Sequence, residues 1–306
     1  MDFSVDIEQL DVLYTIINNK DEQVILQPFE VEKPYDILLV IPCKGRRSLL
    51  ETTVKVLKTE KAKTSLEIAI VIVEHNETPE FKDYSKTNGI GWIHIPIVGG
   101  LGSPLGQFNR SLCFDIGFLY GPPCKYYMMH DNDLLVPDQF FTKVKTYLDR
   151  GSVALQPYSD HFVWQTSKEF SEKLQADLSI FYAGFDETIV CTPNGYGGKG
   201  SSILVKSDLY IKVGGYDPHI FWGYAPEDQL FWTKLECMTA IETAENPRIP
   251  FIHLWHPNAG PLNPFLRKME GFIKLIKTLD SSEVLAYIQK KSDHFKTIIP
   301  NSFYHS

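Results

Sequence analysis

Residues 126–137 read YYMMHDNDLLVP: an apolar run meets Asp131-Asn132-Asp133, then turns apolar again before Pro137. Burying an unpaired carboxylate is very costly, so two acids in such a segment belong at a strand end, facing water, a cation or a ligand. Asp and Asn also form turns, and taken alone the three residues read equally well as a surface turn. Their surroundings have to decide.

Upstream, DILLVIPC (36–43) is continuously apolar, as in a strand buried on both faces of a parallel sheet, and RSLLETTVKVLKTEK repeats Leu50, Val54 and Leu57 at helical spacing. Ser48-x-x-Glu51 predicts a capping box. LEIAIVIVE (66–74) and WIHIPI (92–97) read as further strands, and 106–121 as a helix with Phe108, Leu112, Ile116 and Leu119 on one face. KYYMMHD (125–131) is then the fourth strand. This alternation predicts an α/β domain with a mainly parallel central sheet flanked by helices, whose ligands sit at the carboxyl ends of the strands, where Asp131 and Asp133 fall.

Downstream the pattern predicts a helix at 137–149, a strand near SVALQPY, a helix around 167–177, and a glycine-rich loop at 194–202 that orders on ligand binding as lids do. PEDQLFWTKLECM (226–238) reads as a helix with Pro226 at its first position, a placement its missing N–H permits. The helix dipole favours Glu227 and Asp228 in the first turn, so a structural role suffices for both on this ground alone. Two amphipathic helices follow Asn263. The expected division is an N-terminal extension (1–33), one α/β domain (34–262) and a helical C-terminal segment (263–306).

The 306 residues, 43% hydrophobic and 22% charged, describe an ordinary globular chain. A net charge of −8 with scattered Lys and Arg argues against nucleic-acid binding. Five widely spaced cysteines without a Cys-x-x-Cys pair indicate neither a disulfide framework nor a zinc cluster, and suit a reducing compartment. The acidic start lacks a basic leader and an apolar run, so no membrane span and a cytoplasmic location, bacterial or viral in type, are expected.

HLWHP (253–257) places His253 and His256 three apart between prolines, on a strand-to-turn segment that can converge both rings. With the two upstream carboxylates they form a candidate site for Mn²⁺ or Mg²⁺ beside a diphosphate.

In order, these segments resemble a GT-A glycosyltransferase, a Rossmann-like nucleotide-diphospho-sugar transferase fold, and more closely the inverting β-1,4-galactosyltransferase type, over about residues 36–260. VIPCKGR (40–46) is similar to the family's nucleotide-pocket opening, with Cys43 where the family has phenylalanine. Phe108-Asn109-Arg110 reproduces its Phe-Asn-Arg, and Asp131-Asn132-Asp133 its Asp-x-Asp. Trp222-Gly223-Tyr224-Ala225-Pro226-Glu227-Asp228 matches its Trp-Gly-Trp-Gly-Gly-Glu-Asp, with the second tryptophan and the following glycines changed. His253-x-x-His256 stands where the family has Met-x-x-His.

The resemblance implies a UDP-sugar donor, a galactose-type hexose, a glycan or glycoconjugate acceptor, and a divalent cation on Asp133 and His256, with Asp131 and His253 as further candidate ligands. It implies Asp228 as general base, Glu227 orienting a sugar, and Pro42, Lys44, Arg46, Glu74, Phe108, Arg110, Asp131, Asn132 and Trp222 around the donor. Trp222 and Tyr224 are candidates for stacking on the acceptor, and His75 and Asn76 for the ribose end. Two rivals stay open: a sugar nucleotidyltransferase, whose signature loop PCKGRRS meets poorly, and a non-catalytic glycan-binding protein of the same fold.

Overall fold

The computed structural model describes residues 14, 24–25, 29, 33–100, 103–158, 163–186, 191–193, 199–257 and 263–299. Most of the expected extension 1–33, and residues 194–198 of the glycine-rich loop, lie outside them.

The chain folds as an α/β layered structure. An eight-stranded sheet has the order β1-β4-β3-β2-β5-β10-β7-β11, where β1 is Val24–Ile25, β2 Tyr35–Cys43, β3 Ile68–Asn76, β4 Gly91–Pro96, β5 Cys124–His130, β7 Ala154–Gln156, β10 Ser202–Lys206 and β11 Glu242–Thr243. A second sheet runs β6-β12-β8-β9, from Leu134–Leu135, Phe251–His253, Val163–Thr166 and Cys191–Pro193. The expected mainly parallel sheet holds only for its centre. Strands β4, β3, β2 and β5 run parallel, but β10 inserts antiparallel between β5 and β7, and β1 adds antiparallel at the edge.

The reason for the parallel core is in the residues. Along β2, Leu38 and Val40 enter one apolar cluster while Ile37, Leu39 and Ile41 enter the other, all fully buried, so the strand is apolar on both faces. Each such side chain contributes roughly 1.5–3 kcal/mol relative to exposure. The first face is covered by α3 (Arg110–Tyr120), α7 (Ser207–Lys212) and α8 (Glu227–Met238), and by the C-terminal α9 (Leu266–Ile276) and α10 (Ser281–Ile298). The second is covered by α1 (Arg47–Lys61) and α4 (Phe140–Asp149). The short helices α2 (Lys82–Asn88), α5 (Lys168–Ala176) and α6 (Ser179–Ala183) complete the periphery.

Helix starts differ in detail from the sequence expectation. No capping box forms at Ser48 and Glu51. Arg46, in a left-handed conformation (φ 51°), precedes α1 without a side-chain cap, and Glu51 pairs with Arg47 at 3.1 Å instead. Helix α3 starts at Arg110 because Asn109 caps it, its Oδ1 accepting from Leu112 N at 3.0 Å. Pro226 is the N-cap of α8, one position earlier than expected.

A buried polar network locks α10 onto the sheet layer. Asp217 accepts from Lys234 Nζ of α8 at 2.8 Å and from Tyr287 Oη of α10, and Lys291 Nζ lies at 3.5 Å. Nearby, Asp115 of α3 accepts from Tyr14 Oη at 2.7 Å, Tyr210 Oη at 2.6 Å and Tyr216 N at 2.8 Å.

Among the central parallel strands the chain moves outward from β2 through β3 to β4, then returns to place β5 on the other side of β2. The gap beyond the carboxyl ends of β2 and β5 is therefore the topological switch point, where an open α/β sheet leaves a crevice for a ligand.

Candidate functional site

A cavity of about 820 Å³ opens at that switch point. It is reached from the end of β2 by Pro42, Lys44 and Arg46, and from the end of β5 by Asp131, Asn132 and Asp133. The turn before α3 adds Phe108 and Arg110, the start of α8 adds Glu227 and Asp228, and β12 with its following turn adds His253 and His256.

Sheet register explains how residues so far apart in sequence meet. Strand β6 follows Asp133 directly and pairs antiparallel with β12, setting His253 opposite Leu134, while Leu254 N donates to Asp133 O at 2.8 Å. Asp133, His253 and His256 thereby present one ligand atom each, all within 4.8 Å of one another. His256 Nε2 lies 3.2 Å from Asp133 Oδ2 and His253 Nε2 3.5 Å from Asp133 Oδ1.

These three residues fit a divalent cation on two grounds. Asp133 Oδ1 is buried and has no hydrogen-bond partner among the described residues, a costly arrangement for a carboxylate that a cation would relieve. His256 Nδ1 lies 2.9 Å from Pro257 O, which can only accept, so Nδ1 carries a proton and Nε2, facing Asp133, is the atom that a cation would take once its own proton is lost. One carboxylate with two imidazoles suits Mn²⁺ better than Mg²⁺, which keeps to oxygen. Burial alone would raise the Asp133 carboxyl, but His253, His256 and Arg46 outweigh it and hold it below the usual carboxylate range. Asp131, expected among the metal candidates, does not join the three; it is turned to Arg110.

Arg110 organises the second half of the site. Its Nε donates to Asp131 Oδ1 at 2.8 Å, its Nη1 to Asp228 Oδ1 at 2.6 Å and Glu227 Oε1 at 3.2 Å, and its Nη2 to the Gly200 carbonyl. One guanidinium facing three carboxylates leaves excess negative charge in a part-buried site. Burial first, and Asp228 beside it, push Glu227 upward against the pull of Arg110. Burial also raises Asp131. Glu227 Oε2 is buried and has no partner among the described residues. Gly200 packs so tightly on Asp228 that a Cβ there would stand 2.2 Å from Asp228 Oδ2 and would have to displace that carboxylate.

The expected Phe-Asn-Arg segment divides into three tasks. Phe108 lines the cavity, and its carbonyl accepts from Gly223 N at 2.7 Å. Asn109 caps α3 and bonds Pro218 O at 2.8 Å, and Arg110 holds the acids.

Two expected donor residues lie elsewhere. Glu74 is fully buried and accepts from Glu80 N at 2.7 Å, Phe81 N at 3.1 Å and Trp92 Nε1 at 2.9 Å, which makes it a brace for the turn after β3. Trp222 does not line the cavity; its ring packs on Phe265, and its carbonyl accepts from Asn263 Nδ2 at 2.6 Å. His75 is likewise internal, its Nδ1 accepting from Asn109 N at 2.9 Å, and burial drives its pKa down to about 3. Asn76 bonds Glu80 Oε1 at 2.7 Å. Tyr224, by contrast, lines the cavity and is 59% exposed.

The sequence reading missed Glu77, Gln107 and Ser201, which also line the cavity. Glu77 pairs with Lys44 at 3.2 Å, and Ser201 O accepts from Asp131 N at 3.1 Å. The cue for Glu77 was its place just past a strand end; Ser201 falls in the glycine-rich loop 194–202, which the sequence marked only as a whole.

No family model matches the sequence, and no curated protein does. The fold is similar to several solved structures. A mutant of Drosophila β-1,4-galactosyltransferase 7 in complex with manganese, UDP-Gal and xylobiose aligns with a TM-score of 0.48 at 14% identity, over 75% of this chain and 75% of that one. TarS 1–349 of S. aureus aligns with a TM-score of 0.48 at 12% identity, over 85% and 72%. GalNAc-T7 with UDP, GalNAc and Mn²⁺ aligns with a TM-score of 0.49 at 13% identity, over 84% and 55%.

Proposed function

We propose that this chain is a GT-A glycosyltransferase that moves a hexose, of galactose type, from a UDP-sugar to a hydroxyl of a glycan or glycoconjugate, with Mn²⁺ bound and with inversion at the anomeric carbon. The observation that carries this reading is the meeting, in one cavity at the switch point, of a carboxylate-imidazole triad with a buried oxygen lacking a partner and a pair of acids clamped by one arginine.

In this reading Asp133, His253 and His256 hold the cation. When bound it acts as a Lewis acid on the diphosphate, offsetting the charge that builds as UDP leaves. Lys44 and Arg46 lie on the same side of the cavity and add positive charge there, while Pro42 and Phe108 offer apolar walls to the uracil. Asn132 and Asp131 face the ribose end. Asp228 takes the proton of the acceptor hydroxyl as the hydroxyl oxygen attacks the anomeric carbon from the face opposite the phosphate, and Arg110 holds that carboxylate in place. Glu227 orients a sugar hydroxyl through Oε2. Tyr224, at the exposed rim, offers a face for stacking an acceptor ring.

Among the described residues no helix is long and apolar enough to cross a membrane. The cysteines are free and, Cys237 apart, buried, which accords with a reducing compartment and with our placing the reaction in the cytoplasm.

The test is a screen of UDP-, GDP-, dTDP- and CMP-sugars with Mn²⁺, Mg²⁺ or EDTA, reading thermal shift and nucleotide release together. A UDP-sugar that stabilises the protein and slowly releases UDP only with metal supports the reading. Stabilisation by glycans with no nucleotide response would replace it with a glycan-binding protein of the same fold.

A further inference from the structure

We propose that Arg46 alternates between two partners: it holds Asp133, as seen here, until a divalent cation takes that carboxylate, and then turns to the diphosphate of the donor. The inference rests on the function proposed above.

The cavity has three cationic side chains, and their engagements differ. Arg110 is locked by three carboxylates and a backbone carbonyl. Lys44 stands at the rim, 38% exposed, on Glu77, which is 61% exposed. Arg46 alone among them is bound to the triad, its Nη1 donating to Asp133 Oδ2 at 2.9 Å. That oxygen is also the one nearest His256 Nε2.

A guanidinium and a dication on one carboxylate repel each other at short range. Two imidazoles cannot relieve that, since as ligands both are neutral. Arg46 is the group that can leave, because its side chain is 35% exposed whereas that of Asp133 is 4% exposed. The backbone favours such a role: Gly45 (φ 59°) and Arg46 (φ 51°) are consecutive left-handed residues, which turn the side chain out of the path of α1 and over the cavity. A released guanidinium there meets a diphosphate with the forked, charge-assisted hydrogen bonds that arginine makes best.

The exchange makes Arg46 oppose metal binding and favour nucleotide binding, so its removal moves the two affinities in opposite directions. The experiment measures Mn²⁺ binding by the resonance of the free ion, and UDP binding by calorimetry at saturating Mn²⁺, on the wild-type chain, Arg46→Ala and Arg46→Lys. Arg46→Ala is expected to bind Mn²⁺ roughly three- to tenfold more tightly and UDP about tenfold more weakly. Arg46→Lys, which keeps the charge without the fork, is expected between wild type and alanine for both. Unchanged or weaker Mn²⁺ binding in Arg46→Ala, or two affinities that fall together, would overturn the exchange. Failure of the proposed function shows separately, as a wild-type chain that binds Mn²⁺ and UDP yet turns over no UDP-sugar with any acceptor.

Discussion

Asp133 and Asp217 are both sealed from water, with side chains 4% and 2% exposed, and both sit among cations. Asp217 spends both oxygens on its neighbours, with Lys234 on one and Tyr287 and Lys291 on the other. Asp133 spends one oxygen on Arg46 and His256 and, among the described residues, leaves the other without a hydrogen bond, in the wall of a cavity. The difference teaches that burial of an acid says little by itself. A closed set of partners marks a structural pin, and an unfilled one that opens on a cavity marks a place kept for a ligand.

The strongest challenge to this contrast concerns chemistry. Asp228→Asn should lower UDP-sugar turnover by ~10²–10⁴, the usual worth of a general base, while Mn²⁺ and donor affinities hold. Full activity in that variant, followed by acceptor-dependent UDP release, would remove the base.

Next comes the pin. Asp217→Asn leaves the ammonium groups of Lys234 and Lys291 buried without their counter-charge, and should cost about 3–5 kcal/mol in urea unfolding. Mn²⁺ affinity of the folded fraction should be unchanged. The same test on the other acid reverses the pattern: Asp133→Asn should lose Mn²⁺ affinity at least roughly 10–100-fold, the range that outer-sphere losses already reach, with a smaller loss of unfolding free energy in EDTA than Asp217→Asn, since its partner Arg46 can reach water. If both variants lose stability alike, the distinction between pin and ligand site collapses.

A smaller effect separates the two regions by pH. His75 and His130 are buried and His219 is half-buried, and desolvation lowers them to about 3, 4 and 3. Below the ordinary histidine value of about 6.5 the unfolded chain takes up protons that the folded one refuses, so stability falls as pH falls through that range. Asp217 is depressed by Lys234 and Lys291 in spite of its burial, so its contribution is complete above the ordinary carboxylate range and is lost only as pH drops through its folded value. Between pH 7 and 5 the loss therefore belongs to histidines, on the order of 2 kcal/mol for each. Urea midpoints at the two pH values should converge in His75→Gln relative to wild type; an equal slope would contradict this assignment. The smallest expected change is at the rim, where Tyr224→Ala should raise acceptor KM a few-fold and leave the melting temperature in place.

The central fold was legible because it rests on local pattern. Continuous apolar runs marked β2, β3 and β5, and helical spacing marked α1, α3 and α8. Strand β10 escaped as an antiparallel insertion, because ILV after a glycine-rich loop carries no sign of its partner's direction. The triad was read from the order of motifs rather than from periodicity, and it is the β6–β12 pairing that gives it shape. Glu74 misled because an acid at a strand end looks the same in sequence whether it faces a ligand or the Trp92 indole. Asp131 misled because the sequence could not reveal that Arg110 would claim it. Arg110 was expected at phosphates; its hold on Asp228 and Glu227 depends on a helix start far along the chain.

The insertion of β10 beside β5 also bears on how the chain is made. A ribosome delivers β2 through β5 long before Ser202–Lys206, so during synthesis β5 stands with a bare edge, and Asp133 has neither histidine in reach. Chains halted near residue 200 should therefore associate through that edge, and the cation site can assemble only once the segment carrying His253 and His256 has emerged.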